Sequence, residues 1–257
     1  MKIQYKPIGI FDSGVGGISV LKEAIKLLPN ENFIYYGDSK NAPYGIKTVD
    51  EVKNLSFSVT DILINKGIKA LVVACNTATS AAINDLREKY KIPIIGIEPA
   101  LKPAVLLGRK GKILIMATPM TLSEEKFYKL MKKYEDIAEI VPMPCPGLVE
   151  LIEDGTFSGE KINSYLKEKL SSYIEYGIAA IVLGCTHYPF VKKEIKVLTK
   201  DVPIIDGSKG TARQLKKKLL ALHLLNDSGK SGIVELHNSM EDSKMMDISN
   251  KLLKIEL

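Results

Sequence analysis

Two stretches of this 257-residue chain are near-copies, and each delivers a cysteine followed by hydrogen-bonding side chains. Gly67-Ile68-Lys69-Ala70-Leu71-Val72-Val73-Ala74-Cys75-Asn76-Thr77 is matched by Gly177-Ile178-Ala179-Ala180-Ile181-Val182-Leu183-Gly184-Cys185-Thr186-His187, at a constant offset of 110 residues. A continuous apolar run after a helix-ending glycine predicts a parallel strand covered on both faces. Ligands in such sheets bind beyond the carboxyl ends of the strands, where both thiols would lie. Two equivalent thiols facing one pocket suit a proton taken from one side of a carbon and returned on the other. A free thiol, with a pKa of about 8.5, is only a few per cent thiolate at neutral pH, so each needs help from its neighbours. His187 is placed to raise the thiolate fraction of Cys185 or to carry its proton, and Asp12 is the candidate helper near Cys75. A lone buried cysteine is usually packing, and a pair at equivalent strand ends is not.

The elements that must position these groups are legible as an alternation of apolar strands and amphipathic helices, which predicts an α/β fold with mostly parallel sheets. Strands are expected at Ile8–Phe11, Phe33–Tyr36, the Cys75 run and Ile94–Ile97, with helices near 17–28, 48–66 and 79–89. Val52, Leu55, Val59, Ile62 and Leu63 should form the buried face of the second helix. The pattern then restarts with a strand at Lys112–Ala117, helices near 123–134 and 158–176, the Cys185 strand and a strand at Val202–Ile205. Pro93-Ile94-Ile95 and Pro203-Ile204-Ile205 repeat the offset of 110, so an internal duplication is expected. It implies two similar, pseudo-symmetric domains with the site in the cleft between them. Residues 1–98 plus 207–257 would form the first, discontinuous domain and 99–206 the second, the tail packing back on the first.

Several other features carry weaker chemistry. Asp12-Ser13-Gly14-Val15-Gly16-Gly17 follows the first strand but lacks the third glycine of a dinucleotide fingerprint. Its backbone N–H groups at a helix start are better suited to holding a carboxylate. Gly229-Lys230-Ser231 lacks the strand and first glycine of a phosphate loop. The stretch Asp38–Gly45, with the turn Asn41-Ala42-Pro43-Tyr44-Gly45, sits where a substrate-covering loop belongs. Cys145, inside Pro142–Gly147, reads as packing in a rigid Pro-rich loop, with Glu150, Glu153 and Asp154 on the helix after it. His223 and His237 read as structural. Hydroxyl and amide groups of Ser13, Asn76, Thr77, Thr118 and Thr186 could hold carboxylates.

The composition is that of a globular protein, 46% hydrophobic and 26% charged. No apolar run is long enough for a membrane span, and the short polar start leaves no room for a signal peptide. Three cysteines with no metal-like spacing predict free thiols in a reduced, cytoplasmic setting. The net charge of +6 suits attraction of an anionic small molecule. The lysine clusters are short and not interleaved with aromatics, which argues against nucleic acid.

Phe11–Gly17, Pro43-Tyr44-Gly45, Ala74-Cys75-Asn76-Thr77-Ala78 and Gly184-Cys185-Thr186-His187-Tyr188-Pro189 resemble the motifs of bacterial glutamate racemases, within the aspartate/glutamate racemase superfamily. The resemblance runs over about residues 8–210. It implies interconversion of L- and D-glutamate without pyridoxal phosphate, metal or nucleotide, the D-isomer feeding peptidoglycan synthesis. It implies Cys75 and Cys185 as the two bases. It also implies a substrate site lined by Asp12, Ser13, Tyr44, Gly45, Asn76, Thr77, Thr186 and His187, and Glu153 as a carboxylate assisting on the Cys185 side. A homodimer is compatible with the likeness. The nearest rival is a racemase of aspartate or a hydantoin. A non-catalytic cleft-type binding protein is a second rival, and a Cys–His hydrolase or transferase is a third.

Overall fold

In the computed structural model, which describes residues 2–257, the two near-copied runs become strands β3 and β7 of two separate sheets. Each follows a glycine held at positive φ, Gly67 at 77° and Gly177 at 86°, a region that costs glycine nothing because it has no Cβ. The glycine stops the preceding helix, and the apolar run then enters the sheet with every side chain buried.

In chain order the elements of the first half are β1 (Ile8–Asp12), α1 (Ile18–Leu27), β2 (Phe33–Gly37), α2 (Val49–Asn65), β3 (Ala70–Val73), α3 (Asn76–Lys89) and β4 (Ile94–Gly96). The second half holds α4 (Leu101–Val105), β5 (Lys112–Ala117), α5 (Pro119–Ser123), α6 (Glu125–Lys132), β6 (Ile140–Pro144), α7 (Leu148–Glu153), α8 (Glu160–Tyr176), β7 (Ile178–Leu183), α9 (Lys192–Thr199) and β8 (Ile204–Asp206). The tail adds α10 (Ser208–Ala221), β9 (Val234–Asn238) and α11 (Ser243–Lys254).

All strand pairs among the described residues are parallel. The first sheet runs β4-β3-β1-β2-β9 and the second β8-β7-β5-β6. Matched strand for strand, the two orders are the same, with β9 added at the β2 edge. The sheets and their covering helices define two lobes. One apolar cluster joins them, running from Ile10 and Val72 through Val15 and Ile18 to Leu114 and Ile181.

Four expectations need correction. Pro142–Pro144 is not loop: Ile140–Pro144 forms β6, paired with β5 from Ile113↔Ile140 to Ala117↔Pro144. The prolines are tolerated because β6 is an edge strand and has a free side. The helix expected at 123–134 is α6, which starts at Glu125 because Glu124 is extended and separates it from a short preceding helix, α5. Helix α3 begins at Asn76, because Cys75 itself caps it. Ile62, placed on the buried face of α2, is 37% exposed; Ser56 and Thr60 complete that face instead, each donating its hydroxyl to a carbonyl one turn earlier. The start of α2 follows its sequence signal, with Thr48 and Glu51 closing a reciprocal capping box.

At the amino ends of the first sheet, Lys69 and Glu31 form a buried ion pair at 2.5 Å. Lys69 also donates to the Gln4 carbonyl, and Glu31 accepts the Asn226 N–H at 2.8 Å. Four distant segments thus meet at one pair of charges.

Candidate active site

The carboxyl ends of the strands in both sheets face one cavity. Ser13, Pro43, Tyr44, Gly45, Cys75, Asn76, Thr77, Thr118, Val149, Gly184, Cys185, Thr186 and His187 line it. Its walls lie close together, leaving little free space between the two thiols' lobes. Larger cavities lie elsewhere, but neither thiol lines them.

Cys75 comes from the first lobe. As the N-cap of α3 its Sγ accepts the Ala78 N–H at 3.4 Å, and its thiol donates to Ser13 Oγ at 3.6 Å. Burial pushes the thiol up to about 12, with the Asp12 charge adding to the rise and the Ala78 N–H opposing it. Once ionised, such a thiolate is a strong base.

Cys185 comes from the second lobe, and its surroundings differ. Its Sγ lies 3.7 Å from His187 Nδ1. His187 Nε2 is 2.5 Å from Glu153 Oε1. Burial alone would push the imidazole down, but the hydrogen bonds and charges of Cys185 and Glu153 carry it well above its ordinary value. Glu153 would itself be raised by burial, and the hydrogen bond and charge of His187 bring it below the ordinary carboxylate value. Thiol, imidazole and carboxylate stand in line.

Asp12 is fully buried. It is tied to Thr186 Oγ1, which donates to Oδ2 at 2.9 Å, and to the Gly14 N–H at 3.1 Å. Burial raises its pKa, against the His187 charge and the Thr186 hydrogen bond. Its effect on Cys75 is through space, as a negative charge.

The glycine-rich loop does hold a carboxylate, and it is Glu153. The Val15 N–H donates to Glu153 Oε1 at 2.7 Å. A Cβ on Gly14 would overlap that carboxylate, and one on Gly16 would overlap the His187 ring. These glycines let the second lobe's polar groups lie directly against the first lobe's backbone. Tyr35 Oη fixes the loop from below by donating to the Gly14 carbonyl at 2.6 Å.

The remaining expected residues gather around the cavity. Thr77 and Thr118 share a hydrogen bond at 3.1 Å across the lobes, and Thr121 joins both at 3.1 and 2.9 Å. Tyr44 and Gly45 cover the pocket, with Tyr44 Oη donating to Asp38 Oδ2 at 2.6 Å. Asn76 Oδ1 is buried with no hydrogen-bond partner, a state that an incoming donor would relieve. Cys145 does not reach the cavity. Its thiol donates to the Met143 carbonyl at 3.4 Å, and burial raises its pKa to about 12. Glu150 is exposed, and Asp154 faces Lys244 of the tail at 3.5 Å. His223 and His237 lie outside the lining. Among the described residues, no three His, Cys, Asp or Glu side chains are arranged to hold a metal ion, and no helix is long and apolar enough to cross a membrane.

Thr121 and Asn238 escaped the sequence reading, and Asp38 and Ser39 entered it only as the start of the 38–45 loop. A signal existed for Asp38-Ser39, which directly follows β2 at the carboxyl edge of the sheet.

The pattern of Asp/Glu/hydantoin racemases matches residues 13–215. The chain belongs to that family. Among its relatives is a protein of Clostridium acetobutylicum named glutamate racemase, 66% identical over 99% of this chain and all of its own length. Two solved structures share the fold. Francisella tularensis glutamate racemase in complex with D-glutamate is 31% identical, with a TM-score of 0.84 over 99% of this chain and 96% of that one. Escherichia coli glutamate racemase in complex with L-glutamate and the activator UDP-MurNAc-Ala is 29% identical, with a TM-score of 0.82 over 96% and 95%.

Proposed function

We propose that the protein interconverts L- and D-glutamate by proton transfer between two thiols, with no cofactor, and that the D-isomer supplies peptidoglycan synthesis inside the cell. The observation that carries this reading is that Cys75 and Cys185, from equivalent strand ends of two lobes, line one narrow cavity. The 66% identical relative bears the same activity in its name. Glutamate enantiomers of both hands occupy the related structures.

The chemistry is demanding because an α-C–H beside a carboxylate is very weakly acidic. One thiolate removes the α-proton, and the opposite thiol delivers its own proton to the other face. The lining hydroxyls and amides of Ser13, Asn76, Thr77, Thr118 and Thr186 hold the two carboxylates, preorganised in a site that excludes water. The cavity is too small for an amino acid, so the lobes part to admit substrate and close over it. On this reading residues 1–98 plus 207–257 move as one body and 99–206 as the other. The three cysteines are free, as a reducing cytoplasm would keep them.

The purified protein, given L-glutamate in deuterated water with nothing added, should form D-glutamate carrying deuterium at the α-carbon. Turnover of aspartate or a hydantoin in place of glutamate would reassign the substrate. Stoichiometric binding of glutamate without α-exchange would reduce the protein to a binding module.

A further inference from the structure

A chain of hydrogen bonds continues outward from Cys185 beyond Glu153. Glu153 Oε1 serves His187 and Val15, and its Oε2 accepts the Ser39 hydroxyl at 2.8 Å. Ser39 Oγ in turn accepts from Asn238 Nδ2 at 2.9 Å. Asn238 Oδ1 accepts the Met240 N–H at 3.0 Å, which fixes the amide with its NH₂ toward Ser39. Asn238 is buried at the carboxyl end of β9, beside Gly37 of β2.

We propose that Ser39, oriented by Asn238, is the positioning residue that holds the Glu153 carboxylate in line with His187 and so tunes the Cys185 half of the reaction. This rests on the two-thiol mechanism. A serine hydroxyl has a single proton. With Asn238 donating to its oxygen, that proton points at Glu153. The last torsion of a glutamate side chain is broad and roughly two-fold, so a carboxylate gripped at only one oxygen can rotate off the imidazole. Ser39 grips the other oxygen.

The donors also come from opposite lobes. Glu153 and His187 belong to the second, while Val15, Ser39 and Asn238 belong to the first. The carboxylate therefore acquires its full set of partners only when the cleft is shut, and the Cys185 relay is completed by closure. On the Cys75 wall, the capping N–H of Ala78 lies on the thiol's own helix.

The test uses Ser39→Ala, Ser39→Thr and Asn238→Asp, with L- and D-glutamate protonated or deuterated at the α-carbon. Loss of one hydrogen bond to a charged group predicts that kcat falls about 10- to 100-fold in Ser39→Ala. Ser39→Thr, which keeps the hydroxyl, should stay near the parent. Asn238→Asp, which keeps the acceptor for Met240 but loses the donor, should follow Ser39→Ala. Because enantiomers are equally stable in water, kcat/KM must fall equally in both directions. The isotope effects must not. The effect should rise for the enantiomer whose α-proton Cys185 removes and fall for the other. A merely structural role would leave both effects at their parent values, and unchanged effects in a folded Ser39→Ala or Asn238→Asp protein overturn the proposal. Should Ser39→Ala not fold, Asn238→Asp decides alone, and a failure of both to fold assigns these residues to stability and also overturns it. If Cys75→Ala and Cys185→Ala instead racemise normally, the underlying two-thiol mechanism fails, which is a distinct result.

Discussion

The two cysteine walls of the cavity share a backbone plan and differ in how they treat sulfur. Cys75 sits at a helix start, with one capping N–H and one serine hydroxyl. Cys185 has an imidazole and, behind it, a carboxylate held from both lobes. The matched strand order accords with the sequence repeat of 110 residues. The divergence begins just past each sulfur: Asn76-Thr77 enters a helix directly, whereas Thr186-His187 leads into a short 3-10 turn at Tyr188–Val191 that aims the ring back at the thiol. Strand ends can stay alike while the loops beyond them are free to change. The Cys75 side therefore relies on burial and a helix terminus, and the Cys185 side on a charge relay.

The harshest break is removal of either sulfur. Cys75→Ala and Cys185→Ala should each lower racemisation by more than about 10³-fold, the scale of losing a general acid or base. Each should retain one-sided chemistry on a substrate with a leaving group at the β-carbon, and opposite enantiomers should be processed by the two variants. Shared enantiomer preference would mean that the sulfurs do not face opposite sides of the carbon.

Next in size is the loop that admits the relay. Gly14→Ala puts a methyl group where the Glu153 carboxylate lies, and the carboxylate must retreat from His187. A shift of about 1 Å can cost on the order of 10²-fold. The loss should appear in kcat, with the isotope effects of the two enantiomers diverging as they do for Ser39→Ala. Unchanged isotope effects would place the damage in the loop and not in the relay.

A smaller effect separates the walls by pH. His187 is raised, so its contribution to stability is full below about 6.5 and fades as pH climbs through its folded value. Glu153 is depressed, so its contribution is present above about 4.5 and fades as pH falls through its folded value. The pair contributes most between these limits. The melting temperature lost on Glu153→Gln should accordingly peak near pH 4.5–6.5 and shrink on both sides. Ser13→Ala, on the Cys75 wall, should lower it by an amount that does not vary over that range, since burial pushes the Cys75 thiol up to about 12. A flat difference for Glu153→Gln would remove the charge relay from the comparison.

Much of this comparison was readable in the chain, for identifiable reasons. The strands bearing Cys75 and Cys185 announce themselves because a doubly covered strand is apolar throughout, and the repeat of 110 residues ties them together. The second copy of β2 was hidden because β6 carries Pro142 and Pro144, which read as loop until its edge position is known. The repeat could have disclosed it: β6 holds the place in the second sheet that β2 holds in the first. The start of α3 was missed because a cysteine is an uncommon cap. The relay beyond Glu153 was not legible, since Ser39 and Asn238 stand 199 residues apart. Nothing local marks a serine as the partner of a strand that arrives from the tail. Glycines were the nearest clue, their spacing recording the close approach of side chains from the other lobe.

The mildest test concerns the hydroxyls beside Cys75. Thr77, Thr118 and Thr121 form a closed triangle with sides of 2.9 to 3.1 Å. Thr121 is buried and does not line the cavity, so its part is to orient the other two hydroxyls toward substrate. Thr121→Val keeps the shape and removes one corner, while Thr77 and Thr118 can still pair with each other. Stability should fall by about 1 kcal/mol, the net worth of an ordinary hydrogen bond. KM should rise by roughly the same factor for both enantiomers, with kcat and both isotope effects unchanged, because the triangle binds a carboxylate and moves no proton. A change in kcat confined to one isotope effect would instead connect this cluster to the Cys75 thiol, and the Cys75 wall would then have a relay of its own.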